Sequence, residues 1–223
     1  MVLDYRFADT VAAPAIAALL TATWSDDTAD EGRITRVLAD SNSRATAAAY
    51  DSDRLVGFVD GFLTVDSQGT RRWEVDLLAV DVVYHNQGIA RRLITNSIEE
   101  GRRLGATVAR ALVHADNVRA SKAFARAGFR QRGDLRTLVI CTDPLVDAVS
   151  DPSIFMIPVA TFTYIGWWVE GSYTASALQA ARHHLSLHSG DLVGAVATPA
   201  DVLHAEACGY FVVGNYRWWQ RDL

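Results

Sequence analysis

The 223-residue sequence has little that would crosslink it or anchor it in lipid. Its two cysteines, Cys141 and Cys208, stand far apart and outside any CxxC pattern. A disulfide framework is therefore excluded, and a reducing compartment is the simpler setting. No run is long and apolar enough to span a bilayer. The opening MVLDYRFADT is broken by Asp4, Arg6 and Asp9, unlike a secretory leader. A soluble, cytoplasmic protein without a membrane partner is the expectation. An excess of positive charge is also missing: the formal net charge is -5. This argues against nucleic acid as the main partner, which calls for a basic face, and suits a cationic or amine ligand. What is present is core-forming material. The chain is 50% hydrophobic and 21% charged, so it can bury a sizeable interior and is not disordered by composition.

Hydrophobic periodicity and turn residues divide the first 142 positions. A strand at 3–7 precedes helices at 10–24 and 30–40. Strands at 45–50, 54–65 and 71–80 follow, separated by turns at Asp51-Ser52-Asp53 and Ser67-Gln68-Gly69. A helix at 88–104, ended by Gly105, leads to a strand at 107–113. A helix at 117–127, ended by Gly128, leads to strands at 129–133 and 135–142. The order predicts an α/β fold with a mixed, mainly antiparallel sheet flanked by helices and a later βαβ crossover.

Two Asp-Pro steps, at Asp143 and Asp151, mark 143–153 as a linker. Beyond it come a strand at 155–168, a helix at 172–188, a strand at 191–197, a helix at 198–207 and a strand at 211–222. A shift of 209 − 128 = 81 residues lays Gly128 on Gly209, Phe129 on Tyr210, Gly133 on Gly214 and Leu104 on Leu185. Strand then falls on strand and helix on helix. Residues 154–223 thus read as a degenerate copy of the latter half of a first domain at 1–142. It is expected to pack against that domain, extending its sheet or walling a cleft.

The stretch YHNQGIARRL, 84–93, carries the chemistry. It follows the apolar VDLLAV and opens a helix where Ser, Thr, Asp or Asn would be usual. Glycine there weakens a helix unless something must approach the backbone closely. The first amides of a helix are unpaired and its dipole favours an anion. Gly88 and Ala90 keep side chains out of the way of a bulky phosphate, and Arg91 and Arg92 add positive charge.

With NVRASKAFARAGF one strand later, residues 1–142 resemble the GNAT superfamily of acyl-CoA-dependent N-acetyltransferases. The family loop Gln/Arg-x-x-Gly-x-Gly/Ala is met by His85-Asn86-Gln87-Gly88-Ile89-Ala90, with His85 where Gln or Arg is usual. The later pattern is met by Asn117, Ala120, Phe124, Gly128 and Phe129. The resemblance implies acetyl-CoA as co-substrate. Its pyrophosphate would lie on the amides of Gln87 to Ala90, next to His85 and Asn86. Its pantetheine arm would run along Leu78, Ala79 and Val80, with Asn117 and Phe124 alongside. The acceptor implied is a primary amine: a polyamine-like metabolite, an antibiotic amine or a peptide N-terminus. The acidic segment Ser25 to Glu31, between the early helices, hints at a cationic one.

Such a transfer needs a base, donors for the developing oxyanion and an outlet for the thiolate. Glu74 and Asp76 stand two apart on one strand and so share a face. Glu74 is where some family members have their base, and a carboxylate half-buried beside Trp73 suits general-base work. The Val80 amide is the family-like oxyanion donor. Phe124 replaces a tyrosine that many members use as general acid. The thiolate then leaves unprotonated, or is served by water, Ser121 or Tyr84, or the site does not turn over. An inactive acyl-CoA-binding or regulatory module is the alternative reading.

Other patterns carry less. Gly166 to Ser172 has P-loop glycine spacing, but Ser172 stands where its lysine should be. His184 and His188 are four apart on a helix, yet no carboxylate accompanies them, so no metal site is expected. Trp167, Trp168, Trp218 and Trp219 are expected to pack between the repeat halves rather than to form a substrate wall.

Overall fold

A computed structural model describes residues 2–24, 29–147, 149–171 and 173–223. Most of the acidic stretch between the first two helices lies outside the described residues. The strands are β1 (Asp4–Phe7), β2 (Arg44–Asp51), β3 (Arg54–Val65), β4 (Arg71–Val80), β5 (Val108–His114), β6 (Arg130–Cys141), β7 (Ile154–Ala160), β8 (Ile165–Gly171), β9 (Leu192–Ala197) and β10 (Phe211–Asp222). The helices are α1 (Ala13–Thr23), α2 (Glu31–Leu38), α3 (Ile89–Arg103), α4 (Val118–Arg126), α5 (Ala175–Leu187) and α6 (Val202–Ala207).

Two sequence expectations are corrected. The strands expected at 129–133 and 135–142 are one strand, β6. Gly133, at φ +64°, lets β6 bulge against β10, so that the chain is kinked rather than broken. Conversely, the single strand expected at 155–168 is two, β7 and β8. The Thr161 hydroxyl accepts the amides of Thr163 (3.2 Å) and Tyr164 (3.0 Å), and the Thr161 amide donates to the Tyr164 carbonyl at 2.7 Å. A hydroxyl-held turn is thus hidden inside an apolar run.

All strands join one ten-stranded sheet in the order β1-β2-β3-β4-β5-β10-β6-β9-β8-β7. Only β4–β5 and β8–β9 are parallel, each joined by a crossover helix, α3 or α5. The succession β8-α5-β9-α6-β10 repeats β4-α3-β5-α4-β6. The two units exchange their last strands. β10 lies between β5 and β6, and β6 continues onto β9.

One core lies beneath α3 and α4, a second beneath α1 and α2, and a third beneath α5 and α6. Trp73 of β4 anchors the first. It is fully buried, and its Nε1 donates to Ser97 Oγ on α3 at 2.9 Å. Its indole fits only because Gly61 and Gly101 flank it. A Cβ would lie 2.5 Å from the ring at Gly61 and 2.4 Å at Gly101.

The second unit also folds back over the first. Ile157 and Val159 of β7 pack on Phe62 of β3. The buried Arg44, paired with Asp60, reaches the Ala160 carbonyl, and Arg33 of α2 meets Asp191 at 3.3 Å.

Gly101→Ala separates packing from helix propensity. Alanine is the better helix former by about 1 kcal/mol, yet the clash with Trp73 is expected to cost about 1–3 kcal/mol. Urea unfolding of the variant is expected to show a lower midpoint; a higher one would contradict this packing.

Candidate active site

Parallel pairing of β4 with β5 lasts only from Arg72↔Val108 to Glu74↔Arg110, after which the strands diverge. The last register pair is also an ion pair. Arg110 Nε donates to Glu74 Oε2 at 2.7 Å and to Oε1 at 2.8 Å. Thr64 Oγ1 also donates to Glu74, at 2.5 Å. Glu170, from β8 of the second unit, completes the cluster by accepting from Arg110 Nη2 (2.9 Å) and Arg72 Nη1 (3.0 Å). Both glutamates are thus held by arginines.

Asp76 differs from its neighbour two positions back. It faces the same side but forms no ion pair among the described residues. Burial raises its pKa to about 7, and Asp60, opposite it on β3, adds to the rise. Of the two carboxylates expected to serve as base, the geometry leaves Asp76 free to take a proton and commits Glu74 to Arg110.

The residue after Asp76 breaks the pleat. Leu77 has φ +35°, and Leu77 and Leu78 together oppose Val59 of β3. This bulge reverses the facing of the strand. Trp73 and Val75 point to the α3 core, whereas beyond the bulge Leu78 and Val80 do. Leu77 and Ala79 turn to the α1–α2 core. The Asp81 amide donates to Val56 on β3 at 2.9 Å. By strand alternation, the amide and carbonyl of Val80 therefore point into the gap left by β5.

The loop after β4 matches its expected shape. Asn86 (φ +62°) and Gly88 (φ +81°) adopt left-handed conformations, and the space beside Gly88 is open. Among the described residues, the amides of Gln87, Gly88, Ile89, Ala90 and Arg91 donate to no acceptor. They form a set of free donors at the start of a 15-residue helix. His85 Nε2 lies 2.8 Å from the Val80 carbonyl, and its Nδ1 lies 3.3 Å from Arg119 Nη1. A carbonyl only accepts and a guanidinium only donates, so a proton on Nε2 satisfies both contacts. His85 thereby ties the end of β4 to α4. Asn117 caps α4, its Oδ1 accepting from the Ala120 amide at 3.0 Å.

The ring of Phe124 is in the core, 4% exposed, edge-on to Phe129 with centroids 5.1 Å apart. Tyr84 is engaged as well, donating to Asp51 Oδ2 at 2.7 Å.

Between the two units lies a chamber of roughly 460 Å³ of non-atom space, part of it open to solvent. Its floor holds Glu74, Asp76 and Arg110, and its walls include Phe62, Tyr164, Trp168 and Trp218. The expectation for the tryptophans is thus half right. Trp167 packs against His184 and His188 and Trp219 against the first core. Trp168 and Trp218 instead line the chamber, and the Arg110 guanidinium stacks over Trp218 at 4.5 Å. Arg110 and Tyr164 escaped the sequence reading. They join Asp76 in the chamber lining through the β4–β5 pairing and the fold-back of the second unit, which leave no local signature. Among the described residues, no group of three or more His, Cys, Asp or Glu side chains is placed to hold a metal. Among the described residues, no helix is long and apolar enough to cross a membrane.

Residues 13–129 match the profile of the acetyltransferase (GNAT) family. No curated protein matches the chain. Among solved structures, one similar chain is a fungal multi-domain beta-N-acetylglucosaminidase with a glucosamine N-acetyltransferase region (14% identity, TM-score 0.67, 99% of this chain). The present chain spans only 38% of that protein. A putative acetyltransferase from Pyrococcus horikoshii is similar over 99% of this chain and 89% of its own (11% identity, TM-score 0.64). A putative acetyltransferase from Salmonella typhimurium, solved with its cofactor acetyl-CoA, is similar over 60% of this chain and 83% of its own (18% identity, TM-score 0.54). At these identities the likeness establishes the fold, and the first two extend it to both units.

The state of Asp76 has a consequence for stability. A carboxyl whose pKa is raised on folding binds its proton more tightly in the native state. Its contribution is complete below the unfolded value, near 4, and is lost as pH rises through about 7. Asp76→Asn removes this dependence. Its Tm advantage over the parent is expected to widen by a few degrees between pH 4 and pH 7 and then to stay level. An advantage that does not vary with pH would contradict a buried, proton-binding Asp76.

Proposed function

The chain belongs to the acetyltransferase (GNAT) family, and on that premise we propose that it transfers an acetyl group from acetyl-CoA to a primary amine by direct attack. The observation that carries this reading is Asp76. It is a carboxyl whose pKa burial raises to about 7, without an ion-pair partner among the described residues, set where β4 loses its partner strand. Bound acetyl-CoA supplies an acyl thioester. The free amides of Gln87 to Ala90 and the open space at Gly88 fit its pyrophosphate, with Asn86 and His85 at the rim. The edge of β4 at Leu78, Ala79 and Val80 offers backbone groups to the pantetheine arm, and Asn117 borders it. His85 holds the Val80 carbonyl, which leaves the Val80 amide to donate to the oxyanion.

Asp76 takes a proton from the incoming ammonium. The freed nitrogen lone pair forms the C–N bond, the C–S bond breaks, and the departing sulfur takes the nitrogen's second proton, directly or through water, so that the neutral amide and the CoA thiol are formed. Glu74 acts as a positioning residue, orienting Arg110 at the floor of the chamber. In this reading 1–142 is the acetyltransferase unit, 143–153 the connection and 154–223 a degenerate copy that walls the acceptor side. A cytoplasmic setting belongs to the same proposal; Cys141 and Cys208 are both free and buried. A second reading, an acyl-CoA-binding module without turnover, is favoured by one observation. Position 124 is a phenylalanine, which has no proton to give, so α4 offers no general acid there.

The two readings part in the pH profile. With saturating acetyl-CoA, kcat/KM for an amine is expected to rise with an inflection near 7, below the amine's own ionisation. Asp76→Asn is expected to remove that inflection and lower the rate by about 10²–10⁴-fold while leaving acetyl-CoA binding intact. An unchanged profile in the variant would eliminate Asp76 as base. CoA release from neither protein, with acetyl-CoA bound to both, would favour the binding module.

A further inference from the structure

The chamber's charges are already spoken for. Glu74 and Glu170 are held by Arg110 and Arg72, and Asp60 by Arg44. Asp76 is the one carboxylate facing the chamber without a cation among the described residues. The site therefore neutralises a single ammonium. Its remaining hydrogen-bonding capacity is small. The Thr64 hydroxyl is spent on Glu74, and Trp168 Nε1 donates to the Tyr164 oxygen at 2.6 Å. Among the lining side chains that leaves the Tyr164 hydroxyl proton, Trp218 Nε1 and Arg110 Nη1 without an acceptor among the described residues. The rest of the wall is apolar and largely aromatic: Phe62, Ile157, Val159, Trp168 and Trp218. The β7–β8 hairpin packs on Phe62, and with the turn that carries Tyr164 it forms the second unit's side of the chamber.

Resting on the acetyltransferase reading, we propose that the acceptor is a small primary monoamine with a flat, apolar body. Its ammonium sits against Asp76 and its body between Trp168, Trp218 and Phe62. A polyamine would bring charges with no carboxylate left to meet them. An amino sugar would bring more hydroxyls than the three donors of Tyr164, Trp218 and Arg110 can meet, against a wall that is otherwise mostly apolar, and unmet polar groups are penalised. A peptide N-terminus would meet the hairpin.

The test uses the full chain with 2-phenylethylamine, spermidine, glucosamine and an alanyl tripeptide. Binding is read by calorimetry and transfer by CoA release. The expected result is a kcat/KM for 2-phenylethylamine about tenfold or more above the other three. Trp168→Ala is expected to raise its KM about tenfold while the KM for acetyl-CoA stays put. Trp168→Phe, which keeps a ring and tests the wall should the alanine variant fail to fold, is expected to retain most of the affinity. Preferred acetylation of spermidine, glucosamine or the tripeptide would overturn the acceptor assignment and leave the transferase reading standing. Binding of 2-phenylethylamine in a Trp168-dependent way, with no CoA released from any amine, would uphold the assignment and sink the transferase reading. No binding of 2-phenylethylamine would overturn the assignment.

Discussion

The site depends on how soon β4 and β5 part. Parallel strands normally continue side by side until a turn ends one of them. Here they separate after three register pairs, and an ion pair in which Arg110 Nε faces both Glu74 oxygens closes the apex of the fork. Divergence strips β4 of its partner just where Asp76, the bulge at Leu77 and the Val80 backbone lie. An edge that would be a liability on an outer strand becomes a place for a ligand, sheltered between α3, α4 and the second unit. Trp73, one residue before the apex, keeps β4 seated on α3 while its C-terminal end is free.

Strand exchange makes the fork and the second unit one construction. With β5 turned from β4, its other edge is covered by β10, the last strand of the chain, and this brings Trp218 into the chamber. The second unit repeats the order of the first but not its chemistry. Its β8 carries Glu170, which serves the first unit's arginines instead of a ligand of its own. Gly171, at the end of β8, has no room for even a methyl group, since a Cβ would lie 2.2 Å from the Ser153 carbonyl. Arg44 and Arg33 reach across to the hairpin turn and bind its carbonyls. The second unit is therefore fastened to the first by ion pairs and backbone contacts.

Much of the fold was legible because its signals are local. Alternation and turn residues place β3, β4 and β10 at the expected positions. Gly105, Gly128 and Gly209 all take the left-handed conformation expected after a helix. The misread segments are those where one residue type hides a local device: a glycine bulge inside β6, and a threonine turn between β7 and β8. The loop from His85 to Ala90 was visible for the same reason. The surroundings of Glu74 and Asp76 were not separable, because the arginine that pairs with Glu74 stands 36 positions away. Tyr164 and the chamber side of Trp168 arise from contacts between the units, which no periodicity records. Phe124 looked like a site residue by its place in a motif, but packing against Phe129 decides where its ring goes.

The central claim is that the fork and the free amides of α3 accept a CoA thioester. Calorimetric titration with acetyl-CoA, run on the parent chain and on Gly88→Glu, addresses it most directly. The substitution puts a carboxylate in the open space beside the loop amides. Saturable binding by the parent, abolished in Gly88→Glu while its circular dichroism spectrum is unchanged, is the predicted result. Absence of binding by the parent, or equal binding by both proteins, would contradict the claim.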